Sequence, residues 1–306
     1  MPTDSSAVLP AAPALRPGRE RVIGLLCAFG VLAVWTGFQL SSRFSTRQSF
    51  TPWDLAALRY MGSFPVGLAL VAAFGWPRLA PGKCLALMAS AGFGFPLAAY
   101  IGYGYAPTAH GAVLLTGALP FVAALLGAVF LAEHFPRRRM MSLAVVALGI
   151  GLLAWDTFGG HPGAWRGDLW FAGGCLAWAA FSVMIRRWGV PAVTATTVLA
   201  LFPPLLYLPV WWFFLPGNLG AATPGAIAYQ TIYQGVFAVV VAGFLYTRAV
   251  NAIGSATTTT ITALVPALTA AIAGPLLGEW LGWSGVLGVA LVSAGMALGV
   301  LGGRRS

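Results

Sequence analysis

Long runs of apolar residues alternate with short polar segments along almost the whole chain. Each run has about the 20 residues that a helix needs to cross a hydrocarbon core about 30 Å thick. A membrane β-barrel would instead show segments of about ten residues in which apolar and polar positions alternate. The pattern therefore predicts ten transmembrane helices. Their predicted limits are 22–42, 54–75, 83–104, 108–131, 139–156, 167–186, 193–214, 225–250, 257–277 and 282–303.

The composition excludes a soluble protein. Of the 306 residues, 59% are hydrophobic and 8% are charged, whereas soluble domains have about 45–50% apolar and about 25% charged residues. So few charges cannot cover a soluble surface. The predicted fold class is therefore an all-α integral membrane protein. Residues 1–20 are rich in Ala, Pro and Ser without hydrophobic periodicity, and we predict a disordered cytoplasmic tail there.

The 17 basic residues indicate an orientation. With ten spans and a cytoplasmic N-terminus, 13 of them fall in cytoplasmic loops, while Arg43, Arg47 and Arg166 fall on the other side and Arg59 lies inside the second span. Because Lys and Arg accumulate in cytoplasmic loops, we expect a multi-pass protein of the cell inner membrane with both termini in the cytoplasm. The net charge of +10 thus reflects topology. It does not indicate nucleic-acid binding, which requires basic residues clustered on a soluble surface.

The chain also contains an internal repeat, in which residues of the first half recur after 143 to 146 positions. Because each copy has five helices, an odd number, the second copy enters the membrane from the opposite face. Inverted repeats of this kind are typical of secondary transporters, whose substrate site lies near the bilayer midplane between the two copies. The matched pairs include Trp35 and Trp178, Tyr100 and Tyr246, Pro120 and Pro266, Glu133 and Glu279, and Gly149 and Gly295.

These features resemble the drug/metabolite transporter superfamily, and in particular its EamA-type members with ten helices. The resemblance covers about residues 20–303 and implies a small-molecule carrier with a central cavity, commonly an exporter of metabolites, amino acids or drugs. It implies a first repeat at 21–156 and a second at 167–303. The residues that carry it are Trp35, the stretch 58–60 (Leu-Arg-Tyr), the two Pro-centred helices that end in Glu, 120–133 and 266–279, and the Gly-rich helices at 143–153 and 289–299.

Polar and aromatic side chains in mid-span are candidates for the cavity wall, because a polar group left in lipid without a partner costs free energy. Trp35 and Gln39 lie at i and i+4 on one face of span one, and Trp178 and Ser182 occupy the matching positions of span six. The two tryptophans could instead be interfacial anchors or packing residues.

Two further pairs are candidate substrate-binding residues. Tyr100 and Tyr246 are related by the repeat, and each combines an apolar ring with a hydroxyl, although they too could anchor an interface. Thr258 and Thr262 lie at i and i+4 in span nine, where bonding to the helix backbone is the alternative. The predicted substrate-binding set is Trp35, Gln39, Tyr100, Trp178, Ser182, Tyr246, Thr258 and Thr262.

Pro120 and Pro266 lie about halfway along their predicted spans, where each removes a backbone hydrogen bond. The freed carbonyls are tolerated where they face protein or a water-filled cavity. The two prolines are therefore predicted to be hinges, with static kinks as the alternative.

The few charged residues within or next to the spans limit which substrates and cofactors the protein could bind. Arg59 is predicted to snorkel to the outer surface or to pair with Asp54, and snorkelling is favoured. Glu133 and Glu279 are expected at helix ends, where they cap a helix or pair with Arg. Because spans three, four, eight and nine supply only Arg248, tight anionic substrates are expected to be disfavoured. No ligand spacing indicates a metal or a cofactor.

The sequence thus predicts a secondary transporter, and specifically an exporter, of small apolar or zwitterionic metabolites, amino acids or drugs by alternating access. A facilitative or uptake carrier is the alternative. A membrane enzyme or a receptor subunit is disfavoured, because no acidic or His cluster lies at membrane depth. The expected partners are the substrate and the lipid bilayer, with the protein a monomer or a weak homo-oligomer.

Overall fold

The computed structural model describes residues 17–131, 137–160, 162–253, 258, 261–262 and 264–301. Within these residues the regular secondary structure is helical and contains no strand. We label the helices α1 to α10 in chain order. They are Pro17–Ser45, Pro52–Phe74, Pro81–Tyr105, Thr108–Phe130, Arg137–Gly160, Trp165–Trp188, Ala192–Phe214, Pro224–Ile253, Val265–Leu277 and Trp283–Leu301.

Seven helices in the described part of the chain, α1 to α4 and α6 to α8, are long and apolar enough to cross a membrane. The other three predicted spans correspond to shorter apolar stretches, Met140–Leu152, Val265–Leu277 and Trp283–Leu298. Predicted and observed helix limits differ by a few residues at most positions. The start of span nine, predicted at 257, falls where most residues are not described.

The first helix begins earlier than the sequence predicts. Helix α1 starts at Pro17, so residues 17–20 of the expected tail are helical, while residues 1–16 lie outside the described range. A proline at the first helical position and Glu20 in the first turn are typical of a helix start. Glu20 also pairs with Arg248 of α8 at 2.8 Å, which fixes this turn to the rest of the fold.

Small residues let pairs of helices approach closely at equivalent places in the two halves. Helix α1 packs along α8, and α6 packs along α3. A Cβ added to Gly24 of α1 would lie 2.7 Å from the Cβ of Ala252, and a Cβ added to Gly167 of α6 would lie 2.5 Å from the Cβ of Ala106. The two contacts are therefore of the same kind, with glycine facing alanine.

Helices α5 and α10 pack against each other in the same reciprocal manner. A Cβ on Gly149 would lie 2.8 Å from Cγ2 of Val292, and one on Gly295 would lie 2.6 Å from Cγ2 of Val146. Each helix thus presents a glycine to a valine of the other, as two copies of one surface do around a two-fold axis.

Side-chain contacts sort the helix ends into two faces. The first, which we call the Glu279 face, joins the end of α1, the start of α4 and the segment after α9 through Arg43, Thr108 and Glu279. The second, the Glu20 face, joins the start of α1 to the end of α8 through the pair with Arg248. Lys83 at the start of α3 lies over the ring of Trp188 at the end of α6, 5.4 Å from its centroid, and belongs to the Glu20 face.

Three helices contain wide π-type turns. They occupy Met88–Gly94 in α3, Ala112–Gly117 in α4 and Tyr233–Val241 in α8. The turns in α3 and α8 lie at repeat-related positions. Turns of this kind are frequent at functional sites, because they rotate the residues that follow relative to a regular helix.

The two prolines predicted as hinges do not lie inside regular helix. Pro120 is the second residue of the segment Leu119–Leu131, and Pro266 is the second residue of Val265–Leu277. Each follows an interruption, at Ala118 and at Leu264. A proline in the first helical turn removes no intrahelical hydrogen bond, so the expected loss of a backbone bond is wrong.

Candidate functional site

A cavity of about 80 Å³ lies between helices of both halves of the chain. Three of the residues predicted to bind substrate, Trp35, Gln39 and Trp178, line it. The wall thus combines aromatic rings with a small number of polar groups, which is the usual composition of a small-molecule site. Its lining residues are Trp35, Phe38, Gln39, Arg59, Phe95, Leu115, Thr116, Leu119, Trp178 and Ala238.

Gln39 is fully buried, and only one of the two polar atoms of its amide has a hydrogen-bond partner. Its oxygen accepts a hydrogen bond from the hydroxyl of Tyr103. The amide nitrogen, Nε2, has no hydrogen-bond partner in the structure. Leaving a buried donor unpaired costs about 1–3 kcal/mol, so an unsatisfied N–H group belongs to one of the residues that line the cavity.

Arg59 does not follow either interpretation made from the sequence. Its side chain is 7% exposed, so it does not reach the surface by snorkelling. The carboxylate of Asp54 is occupied elsewhere, accepting from the Trp211 indole at 3.1 Å and from the backbone N–H of Asn218 at 2.8 Å. Arg59 instead donates to the backbone carbonyl of Gln234 at 3.4 Å and lines the cavity.

A buried polar network connects α8 to α1 beside Arg59. The side chain of Gln234 accepts from Tyr100 at 3.1 Å and donates to Ser42 at 3.3 Å. Gln230 lies one turn earlier. Its side chain accepts a hydrogen bond from Ser41 at 3.0 Å and donates one to the side chain of Gln48 at 2.9 Å. The network holds the hydroxyl of Tyr100 in place.

A larger cavity of about 530 Å³ lies next to the small one. The two share Arg59, Trp178 and Ala238 as lining residues. The larger cavity extends to Phe74 at the end of α2 and to Ala192 at the start of α7. These helix ends lie on the Glu20 face. The larger cavity therefore extends from the small cavity toward the Glu20 face.

Aromatic pairs surround the boundary between the two cavities. The rings of Trp35 and Tyr246 stack with centroids 5.7 Å apart and planes 23° apart. Trp178 packs on Phe95, at 4.7 Å between centroids, and on Phe181 at 5.4 Å. The stack thus links a residue of the small cavity, Trp35, to a residue of the larger one, Tyr246.

A charged cluster covers the opposite side. Arg43 and Glu279 form an ion pair at 2.6 Å, and the carboxylate also accepts from the backbone N–H of Thr108 at 2.8 Å and from its hydroxyl at 2.7 Å. Burial alone would raise the pKa of Glu279, but these hydrogen bonds and the guanidinium lower it below the ordinary value. Arg43 further donates to the carbonyl of Tyr103, which joins the cluster to Gln39.

Comparison with known proteins finds a family match in the second half of the chain. Residues 165–301 match the model of the EamA-like transporter family. This stretch of the chain is therefore similar to that family. A solved crystal structure of a protein has a similar fold, with 22% sequence identity and a TM-score of 0.64 over 94% of this chain and 98% of the other. No curated protein matches the sequence.

The family match confirms the resemblance that the sequence indicates. Together with the apolar helices, it indicates a multi-pass membrane protein. The structural similarity covers the first half of the chain as well and shows a shared fold. Trp178 and Tyr246, which line the larger cavity, lie within the EamA-like region.

The remaining predicted residues lie outside the two cavities. In the EamA-like region, the Ser182 hydroxyl donates to the carbonyl of Trp178 at 2.9 Å, and that of Thr262 donates to the carbonyl of Thr258 at 3.2 Å. For the two threonines, this backbone bonding is the alternative that the sequence left open. Tyr100 is buried beside the small cavity and is bound to Gln234.

The predicted substrate-binding set omitted Arg59, which lines both cavities, and Gln230, which belongs to the polar network beside them. The signal for the second was the spacing of Gln230 and Gln234 by one helical turn, which places two amides on one face of an otherwise apolar helix. For Arg59, the rotation of α2 relative to its neighbours decides whether the side chain faces the lipid or the cavity. Within the described residues, no three His, Cys, Asp or Glu side chains form a group that could hold a metal.

Proposed function

We propose that the protein is a secondary transporter that moves small apolar or zwitterionic molecules through the paired cavities by alternating access. The observation that carries the proposal is the convergence of Trp35 and Trp178 on one small cavity, which continues into a larger cavity toward one face. A carrier needs a site that is open to one side and closed to the other. Here the Arg43–Glu279 cluster covers the side opposite to the larger cavity.

The proposed architecture is two inverted repeats of five helices each, at residues 21–156 and 167–303. The reciprocal helix contacts support it. The approach of Gly24 to Ala252 has its counterpart in the approach of Gly167 to Ala106, as expected when the repeat places Gly24 on Gly167 and Ala106 on Ala252. In a carrier whose halves are related by a two-fold axis, the same helix arrangement occurs in both orientations, so the site can open to either side of the membrane.

The distribution of basic residues supports an orientation in which the Glu20 face is cytoplasmic. Arg19, Arg21, Lys83 and Arg248 lie near helix ends of that face, whereas Arg43 and Arg47 lie on the other. In a cell inner membrane the larger cavity then connects to the cytoplasm. This is the conformation in which an exporter receives its substrate, and we therefore propose export over uptake.

The aromatic pairs suggest how the opposite conformation forms. Trp35 stacks on Tyr246, while the repeat-related Trp178 packs on Phe95 and Phe181. In the outward conformation we expect the two halves to exchange their arrangements, so that Trp178 meets Tyr100 and Trp35 leaves Tyr246. The interruptions before Pro120 and Pro266 are the proposed hinges of this movement.

Reconstituted vesicles test the proposal. The purified full chain is inserted into liposomes, and uptake of radiolabelled neutral amino acids, quaternary ammonium compounds and nucleosides is compared with uptake into empty liposomes. A carrier raises the flux of at least one class in a saturable manner. The same measurement with and without a proton gradient separates coupled export from facilitated diffusion. If every class crosses no faster than in empty liposomes, the transport proposal is wrong.

A further inference from the structure

We propose that Arg59 and Gln39 form a carboxylate-binding subsite in the small cavity, and that the transported molecules carry a single carboxylate on an apolar body. The inference rests on the proposed function, because it assigns the substrate class of the same cavity. It goes beyond that function by naming the two groups that select the substrate and the chemical group that they select.

The first argument is the position of Arg59. A buried guanidinium costs free energy unless an anion or several acceptors compensate it. Within the described chain no carboxylate lies within ion-pair distance of Arg59. Its guanidinium donates to the backbone carbonyl of Gln234 at 3.4 Å and also interacts with the hydroxyl of Tyr100. A guanidinium has five N–H donors in a planar fork. Donors therefore remain for a ligand on the side that faces the cavity.

The second argument is the polarity of the remaining groups in that wall. The oxygen of Gln39 is occupied by Tyr103, while its buried amide nitrogen has no partner and is the donor that Gln39 can still give to a ligand in the cavity that it lines. The hydroxyl of Thr116 donates to the carbonyl of Ala112 at 2.5 Å and has no proton left to donate to a ligand. The small cavity thus presents N–H donors from Arg59 and Gln39, a set that matches an acceptor group.

The third argument concerns charge and size. No Asp or Glu is among the described residues that line either cavity, so one positive charge has no internal counter-ion there. A carboxylate neutralises it locally, whereas a phosphate dianion would leave a buried negative charge and a drug whose only charge is positive would meet repulsion. About 80 Å³ is several times the space that one water molecule needs, about 15 Å³, and is enough for a small polar group.

The rest of the substrate then occupies the larger cavity. Arg59 and Trp178 line both cavities, so a molecule bound through its carboxylate can extend past Trp178 without leaving the protein. The larger cavity is lined by mainly apolar residues, including Phe181, Leu199 and Val239. The expected substrates are therefore apolar amino acids and related monocarboxylates. The expectation that anionic groups are disfavoured, made from spans three, four, eight and nine, is thereby replaced, because the cation comes from span two.

The test compares L-leucine with L-leucinamide, which lacks the carboxylate. Binding is measured by titration calorimetry on the full chain in detergent, and flux is measured in proteoliposomes. The wild type is expected to bind L-leucine at least tenfold more tightly than L-leucinamide. Arg59→Gln is expected to remove this preference, because L-leucine loses the guanidinium that binds its carboxylate and L-leucinamide, whose protonated form is a cation, no longer meets a positive charge. Inorganic phosphate is expected not to compete with L-leucine.

Three further variants make the result specific. Arg59→Lys keeps the charge without the fork and is expected to retain part of the preference, and Gln39→Met removes the amide donors at similar size and is expected to weaken L-leucine binding several-fold. Arg166→Gln is the control, because Arg166 is exposed beside Trp165. It removes one positive charge without touching the cavity and is expected to change neither ligand.

The outcomes separate the subsite from the transport function. Equal binding of the two ligands by the wild type, or an unchanged preference in Arg59→Gln and Gln39→Met, overturns the subsite even if other compounds are transported. If Arg59→Gln does not fold, Gln39→Met and Arg59→Lys still decide. A carboxylate preference in detergent without flux in proteoliposomes supports the subsite and contradicts the transport proposal. Competition by phosphate at similar concentration overturns the assignment to a carboxylate.

Discussion

Arg43 at the end of α1 and Glu279 after α9 form an ion pair with a nitrogen–oxygen distance of 2.6 Å. The two residues are 236 positions apart in the sequence, one in each half of the chain. Thr108 at the start of α4 adds two hydrogen bonds to the same carboxylate. The carboxylate of Glu279 therefore connects three segments, the end of α1, the start of α4 and the residues after α9, on the Glu279 face.

We expect Glu279→Gln to destabilise the protein by about 1–3 kcal/mol, because the variant leaves the half-buried Arg43 without its counter-charge. This corresponds to a fall of a few degrees in the midpoint of thermal unfolding in detergent. Glu20→Gln is the matched control. Glu20 also pairs with an arginine, but both side chains of that pair are more exposed, so its effect is expected to be smaller.

The same variant gives a pH dependence with a definite sign. The pKa of Glu279 is lower in the folded protein than its ordinary value of 4.5, so its contribution is complete above that value and is lost as the pH falls through the folded pKa. The stability difference between wild type and Glu279→Gln should therefore be largest near neutral pH and should shrink below about pH 4.5. A difference that grows on acidification would contradict this account.

The two tryptophans of the small cavity should both be needed for transport. We expect Trp35→Ala and Trp178→Ala each to lower flux in proteoliposomes about tenfold, which corresponds to a loss of about 1.4 kcal/mol. Insertion into the membrane should be normal. Trp212→Ala is the control, because Trp212 is 72% exposed on α7. Unchanged flux in both cavity variants would remove the proposed two-fold wall.

The contact between α5 and α10 predicts a difference between two glycines of one helix. A Cβ on Gly149 would lie 2.7 Å from the carbonyl oxygen of Gly288, whereas a Cβ on Gly151 meets nothing within 4 Å. Gly149→Ala should therefore force the backbones apart and lower the unfolding midpoint. Gly151→Ala should be neutral or slightly stabilising, because alanine favours helix over glycine. Equal effects of the two substitutions would show that this close approach is absent in the folded protein.

The proposed hinge at Pro266 can be separated from a static kink. Because Pro266 lies in the first turn after the interruption at Leu264, Pro266→Ala should leave thermal stability nearly unchanged. If the interruption moves during transport, the flux should fall several-fold. Pro275→Ala, in the same helix and on an exposed position, is the control and should transport normally. Equal flux in both variants would identify Pro266 as a static feature.

Helix positions were predictable because the membrane requires long apolar runs with internally satisfied backbones. Predicted limits such as 108–131 and 193–214 agree closely with α4 and α7. The sequence also identified Trp35, Gln39 and Trp178, which the structure brings to one cavity. Their selection depended on spacing along a helix and on the repeat, and both are properties of the chain alone.

The positions of Arg59 and Asp54 show where prediction from the sequence ended. The two residues lie five positions apart, so pairing between them was one interpretation. In the structure Asp54 is held by Trp211 and Asn218 of a distant segment, and Arg59 is left to face the cavity. Which of several polar partners a side chain meets depends on the rotation and packing of whole helices, which local sequence does not encode.

The amino-acid sequence was sufficient to identify a membrane protein of apolar helices, because transfer of backbone and charge into lipid strongly restricts composition and periodicity. The tertiary structure alone decided that Gln39 keeps a free amide nitrogen, that Arg59 has no carboxylate partner in the described chain, and that Glu279 connects three segments on one face. Each of these depends on contacts between helices far apart in the sequence. The physical reason is that hydrogen bonds and ion pairs extend only about 3–4 Å, so their partners are known only when the helices are packed.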